Sequence, residues 1–458
     1  MTEAPEERIP LSLNQEFVCV FDQGEDRGPF GPGYHLVHAW RLAGPVDADV
    51  LRGALGDLVE RHEALRTQIA TAEDGTRFQQ VCPPCDPDLD VRDLSGVEPA
   101  AREQVVLDLL DEVEASELPA RRLPHIRAVL GVFDEKDAVL TIMTHHTATD
   151  GFSMRLIIRD LAQLYAARKD GVAANLPEPR QYREYAQWQL AAGSDEAREF
   201  WRTTLDGASV FTVPTDRPRS PDGPLHTSAY RFRIEDDIIA NVGALAKTLR
   251  CTPFIVLMSA FKLLHWQRSG ESDSTVPTFT PGRGQDWDGF GDMVGSCFNF
   301  LPVRTELAGC GTFRDVVKRT RSACLQGYSH DIPTLQIFGQ APELMAPAMA
   351  PDRAPWVFQI FPFPFVIDGE EIGGVAYTEV RVRLAAQEVS SDVPDGALWT
   401  LNLNPDGGLI GSVHYKAALY DEATIADVVA GFREVLRVHA VDPDAPLGGT
   451  VAGHQTKE

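Results

Sequence analysis

The stretch that most restricts the fold of this chain is "AVLTIMTHHTATDGFSM", residues 138 to 154. Its first six residues, Ala138 to Met143, are apolar and β-branched, as in a strand covered by protein. Beyond it, Ile157, Leu161, Leu164 and Tyr165 recur at helical spacing, with Arg155, Arg159 and Asp160 between them. The spacing predicts strand, short loop, helix. Asp150 stands where a helix N-cap is expected, and Gly151 admits a tight backbone path. The adjacent pair His145 and His146 therefore falls at a strand end, and the aspartate at a helix start.

Three chemistries suit such a cluster. A buried histidine can simply be satisfied by hydrogen bonds, which is the usual fate of a single one. His and Asp are also metal ligands, but no third ligand stands at metal spacing and the other histidines are scattered, so no metal is expected. An imidazole that titrates near neutral pH can act as a general base, with an aspartate holding it or its loop in place.

Several further segments bear on the choice. "HHTATDG" fits HHxxxDG, "RHEALRT" at 61–67 fits RHExLRT, and "QYREYAQWQ" at 181–189 is close to YxDYAxWQ. "VPTDRPR" at 213–219 and "VGSCFNFLPVR" at 294–304, the latter close to VGxxxNTLPLR, follow in order. In these segments the chain resembles the condensation domains of nonribosomal peptide synthetases, over nearly its whole length. It departs at Phe300, where the family has threonine, and in "LSLNQEFVCVF", which lacks the usual Arg and Trp. The cyclisation subfamily has aspartates in place of both histidines, whereas this chain keeps both.

The resemblance implies an α/β (α+β) fold of two chloramphenicol-acetyltransferase-like subdomains, a V-shaped pseudo-dimer with a central tunnel. It makes His146 the residue facing the reacting groups, with His145, Asp150 and Gly151 completing the catalytic motif. Gly151 would bring backbone N–H groups near a developing oxyanion. Asp150, if buried, needs a partner, and Arg66 is the arginine expected to supply it. Asn299 and Arg304 are expected to order the strand and crossover between halves, and Arg283 in "TPGRGQD" to fix its loop. Ser153 lacks a nucleophile-elbow pattern and is expected to pack or cap.

Length supports two subdomains: 458 residues exceed one typical core. The proline-rich "NLPEPRQY" at 175–182 marks the boundary, giving 1–176 with the histidine motif and 177–458 without it. Helices are expected over "PVDADVLRGALGDLVERHEALR", "REQVVLDLLDEVEAS", "IIANVGALAKTLR", "PFIVLMSAFKLLHWQ" and "EATIADVVAGFREVLRVHA", and strands near 275–280 and 298–305. In "FQIFPFPF" at 358–365, Pro362 and Pro364 predict an edge strand or tunnel wall. Tyr185 and Trp188 are expected in the core.

Composition sets the partners. A formal charge of -25 opposes nucleic acid, whose phosphates demand basic patches. Arg121, Arg122, Arg127, Arg155 and Arg159 are candidates for the local basic surface that an acidic carrier protein would need. Seven cysteines, an odd number, point to reduced thiols, and "CPPC" at 82–85 to a structural loop. No signal peptide or membrane span is legible, so a cytoplasmic protein is expected.

With no room for an adenylation or carrier module, the chain is expected to be free-standing, with no bound cofactor. The donor would arrive as a thioester on the phosphopantetheine arm of a peptidyl or acyl carrier protein; the acceptor would be a small molecule or carrier-bound. An (amino)acyl group would pass to an alcohol or amine, giving ester or amide in natural-product biosynthesis. Free-standing members of enediyne antibiotic pathways make the ester a serious prospect. A non-catalytic docking module and a coenzyme A-dependent acyltransferase are the alternatives.

Overall fold

The computed structural model describes residues 8–191, 194–220, 223–283, 289–361, 366–404 and 408–447. Pro362, Pro364 and most of the "GRGQD" loop after Arg283 lie outside them.

Two six-stranded sheets organise the chain. In the first, the motif strand Asp137–His145 lies between His35–Ala43 and Ile126–Asp134, antiparallel to both. Its side chains alternate between two apolar layers. Ala138, Leu140 and Ile142 meet the helices Ala48–Arg61 and Gly151–Asp170, while Val139 and Met143 meet the helix Arg102–Glu114. Burial on both faces explains why the segment reads as a continuous apolar run rather than as alternation. Each fully buried aliphatic side chain contributes about 1.5–3 kcal/mol, which fixes the register of the strand that carries the histidines.

The strand's far neighbour was not legible. Val375–Val380 pairs with His35–Ala43, from Ala376 opposite Ala43 to Val380 opposite Ala39, and Glu371–Ile372 pairs onto its outer side. The sheet of the first half thus takes its outer two strands from the second half.

The second sheet runs in the order Gln387–Ser390, Thr227–Ile234, Leu409–Lys416, Ala397–Leu403, Arg353–Phe361, Thr212–Pro214. Against it packs the helix Pro253–Ser269, apolar almost all round and buried from Ile255 to His265. A separate antiparallel pair, Asp273–Thr280 with Asn299–Glu306, places Thr280 opposite Asn299. No single described helix is long and apolar enough to cross a membrane; the bent pair Asp236–Thr248 and Pro253–Ser269 comes nearest and contributes heavily to this core.

The five expected helices form, with one correction. The first ends at Arg61, and residues Glu63–Arg66 form a separate 3-10 turn. His62 breaks it because its backbone is extended and its Nε2 pairs with the buried Asp160 carboxylate at 2.9 Å.

A charged knot also ties the halves together. Glu114, at the end of a helix of the first half, is buried and accepts from Arg231 at 2.7 Å and from Arg383, both from the second half. Burial alone would raise its carboxyl, but the two guanidiniums hold it at about 2.

Candidate active site

The motif loop is held by its own side chains before any substrate enters. His145 is fully buried, with Nε2 against the Gly31 carbonyl at 3.3 Å and Nδ1 against the Thr147 hydroxyl at 2.7 Å. Both ring nitrogens are engaged, and burial drives its pKa well below the imidazole value. Of the pair, His146 lines the cavity described below and His145 does not.

His146 does so with a defined tautomer. Its Nδ1 lies 2.7 Å from the Thr149 carbonyl, which can only accept, so Nδ1 carries the proton and Nε2 keeps a lone pair. Nε2 has no hydrogen-bond partner among the described residues. The ring is stacked on Tyr34 at 4.8 Å and touched edge-on by Phe298 at 5.3 Å. This clamp fixes the ring plane, and burial lowers its pKa from the usual value, so it stands neutral at physiological pH.

Asp150 caps the motif helix, accepting from the Ser153 N–H at 2.7 Å and the Ser153 hydroxyl at 2.8 Å. Its expected partner is corrected. The buried cation on Asp150 is Arg283, with Nη1 2.8 Å from Oδ2 and Nη2 3.1 Å from Oδ1, and the Cys297 N–H adds a bond of 3.0 Å. Burial alone would raise the Asp150 carboxyl, but Arg283 and these hydrogen bonds hold it below the usual value. Arg66 instead turns back on its own helix, donating to the carbonyls of Val59 and Glu60 in the last turn and to Cys82 O at 2.6 Å. An arginine placed there caps open helix carbonyls, so Arg66 supports the loop after the helix rather than the site.

Two glycines fit the pair together. Gly282 has φ +66, and a Cβ there would fall 1.6 Å from the Cys297 carbonyl oxygen, so only glycine lets the Arg283 loop approach. Gly151 shows no positive φ; its requirement is space, since a Cβ would meet the Phe361 ring at 3.3 Å. Ser153 is buried and bonded to Asp150 and to Gly295 O at 2.8 Å, so it caps, as expected, and is not free to attack.

These groups border a cavity of about 1270 Å³ between the two halves, whose wall includes Tyr34, His146, Gly151, Phe298, Asp331 and Phe361. Val357, Gln359 and Ile360 line it too, so the strand entering "FQIFPFPF" is a wall of the cavity. Trp188 packs against the core beside Tyr185 and Phe290, as expected, and also lines the cavity, whereas Tyr185 is buried and donates to Gly282 O at 2.7 Å. Asn299 accepts from Thr334 and donates to Ile332 O at 2.7 Å, pinning the segment that follows the helix Phe313–Ser329. Arg304 lies at the other end of the same strand, on Asp273 at 2.7 Å and on two carbonyls, away from the histidines.

Of the arginines expected to form a basic surface, Arg122 meets Asp88, and Arg159 meets Asp160 and Asp292. Arg155 lies over the Phe152 ring at 5.0 Å and lines the cavity. Tyr34 and Phe298, which clamp the His146 ring, escaped the sequence reading. Phe298 lies inside the "VGSCFNFLPVR" segment, but only the folded chain brings it to the ring.

His146 thus brings a neutral, oriented imidazole to the wall of a cavity between two sheet-based halves. The family model of the condensation domain matches residues 5–456, and the chain belongs to that family. Among solved structures, SgcC5 of Streptomyces globisporus, in complex with (R)-(-)-1-(2-naphthyl)-1,2-ethanediol and sucrose, is 42% identical with a TM-score of 0.91, covering 96% of this chain and 100% of the other. The X-domain from teicoplanin biosynthesis is 26% identical with a TM-score of 0.77, covering 97% and 98%. The dimodular nonribosomal peptide synthase of Bacillus subtilis (strain 168) is 31% identical over 463 residues, 96% of this chain and 18% of that protein. The chain spans 6 to 18% of the length of the curated relatives it matches. The fold expected from the motifs is the fold found.

Proposed function

We propose that this protein transfers an acyl group from a carrier-bound phosphopantetheine thioester to a hydroxyl or amine, with His146 as general base. The observation that carries the reading is that His146 lines the cavity with its Nδ1 bonded to Thr149 O, which leaves the proton-accepting lone pair on Nε2. The acceptor attacks the thioester carbonyl while Nε2 takes its proton; the tetrahedral intermediate then expels the thiolate, which recovers that proton. Atoms and charge balance without a covalent enzyme intermediate, and holding both reactants in one cavity supplies the remaining acceleration. An alcohol acceptor, and hence an ester, is favoured because the similar SgcC5 was crystallised with an aryl ethanediol.

Mass spectrometry of products from aminoacyl-loaded carrier proteins, offered with paired alcohol and amine acceptors, tests this. Product mass and base lability separate ester from amide. Failure with every pair, alongside carrier binding, would move the assignment to a docking module. Equal turnover of acyl-coenzyme A would remove the need for a carrier.

The pH dependence follows from the site. A base with a depressed pKa stays neutral until the pH falls below that pKa. With an alcohol acceptor, which does not itself titrate, kcat/KM is therefore expected to be flat through neutrality and to fall only at a pH below the ordinary imidazole value near 6.5. An acidic limb centred above that value would assign the titration to another group.

A further inference from the structure

The cavity holds one carboxylate that is out of keeping with the others. Glu114, Asp150, Glu379, Asp392 and Asp395 all line it, and each is paired with a basic side chain: Arg231, Arg283, Arg381, Lys416 and Arg219 respectively. Asp331 lines it as well and has no cationic partner among the described residues. Its oxygens are held only by neutral donors, the Thr280 hydroxyl at 2.7 Å and the Asn299 amide at 2.5 Å.

A structural explanation is weak. The segment around Asp331 is already tied down through Asn299, which also binds Ile332 O, Thr334 N and the Thr334 hydroxyl. Two neutral donors need no charge opposite them, and an asparagine would serve a merely structural turn. Leaving a carboxylate without a countercharge in a wall rich in aromatic rings is costly, and burial accordingly raises its pKa. The same two donors, however, fix both oxygens, so the carboxylate is preorganised to accept from a third, cationic donor.

We infer that Asp331 is the seat for a substrate ammonium group, carried by the acyl donor and distinct from the nucleophile. This rests on the acyl-transfer reading of the same cavity. The nucleophile must lose its proton to His146, so a group held as a cation elsewhere in the cavity cannot be the attacking one. Placing the ammonium on the donor has a chemical advantage. An aminoacyl thioester carries its own amine close to a reactive carbonyl, and an amine kept protonated on a carboxylate cannot attack. Asp331 would thus both select aminoacyl donors and keep them from reacting with themselves, leaving the acceptor as the only nucleophile.

The test compares wild type with Asp331→Asn, using matched carrier-bound donors that differ only in whether the amino group is present or replaced by hydrogen, with one alcohol acceptor. Wild type should prefer the aminoacyl donor by about 10- to 100-fold in kcat/KM, and in the variant the ratio between the two donors should fall toward one. Asp331→Glu should restore part of it. No preference in wild type, or an unchanged ratio in a folded Asp331→Asn, overturns the assignment; so does a preference that follows an amino group on the acceptor instead.

A binding measurement keeps this independent of turnover. Calorimetry with non-reacting aminoacyl and desamino pantetheine thioethers should show the same preference in wild type and its loss in the variant. Preferential binding without turnover of any donor would retain Asp331 as an ammonium seat and remove the acyl-transfer reading; turnover with no preference in either assay would do the reverse.

Discussion

Replacing His146 with alanine is expected to slow acyl transfer by about 10²–10⁴-fold and to leave the fold intact. The ring is bound to the protein by one hydrogen bond to Thr149 O and by contacts with Tyr34 and Phe298, and no buried charge depends on it. Its loss opens space at the edge of an existing cavity rather than in a sealed core. Single-turnover rates with a loaded carrier, together with circular dichroism and the melting temperature, check both halves of the claim. A variant that keeps a third or more of the wild-type rate would show that positioning alone drives the reaction. His145→Ala provides the contrast: it leaves Gly31 O and Thr147 without their partner and is expected to act first on stability.

The second large effect belongs to Arg283. Replacing it with alanine leaves Asp150 buried without a countercharge and facing only neutral donors, and removes further bonds to Ser153 and nearby carbonyls. Breaking a buried pair from one side costs about 3–5 kcal/mol, enough to unfold many single domains. Urea unfolding should show that loss for Arg283→Ala and a similar one for Asp150→Ala, with activity lost in both. Arg66→Ala, which removes hydrogen bonds to carbonyls near the surface, should cost about 1 kcal/mol. Equal losses at Arg66 and Arg283 would contradict the pairing.

That contrast also shows what could be read from the chain. The motif strand, its loop and the helix beyond were legible because each depends on neighbours within a few residues: β-branched packing, an N-cap, helical spacing. The need for a partner to Asp150 was legible too, from the cost of a buried carboxylate. Which arginine met it was not, since Arg283 lies 133 residues away and Arg66 belongs to a motif of its own. The sign that Arg66 was already committed was local: it follows a helix end by a few residues, where guanidiniums close off free carbonyls. The distinction between His145 and His146 came from the resemblance, because by local pattern adjacent residues on a strand end differ only in which face they take. Long-range pairing separates them, since His145 reaches back to Gly31 and His146 leans on Tyr34. The outer strands 371–372 and 375–380 were hidden for the same reason. A short segment such as "VAYTEV" satisfies many sheets equally well, and only assembly decides which edge it covers.

That borrowed edge bears on how the chain can be cut or recombined. A fragment ending at residue 176 would uncover the edge of His35–Ala43 that Val375–Val380 occupies, leaving the outward backbone groups over Ala39–Ala43 unpaired. Exposed edges of this kind recruit other strands, so such a fragment would tend to aggregate. A chimaera that exchanged the second half for another would also exchange part of the sheet that carries the motif strand. The unit that can be moved intact is the pair of halves together.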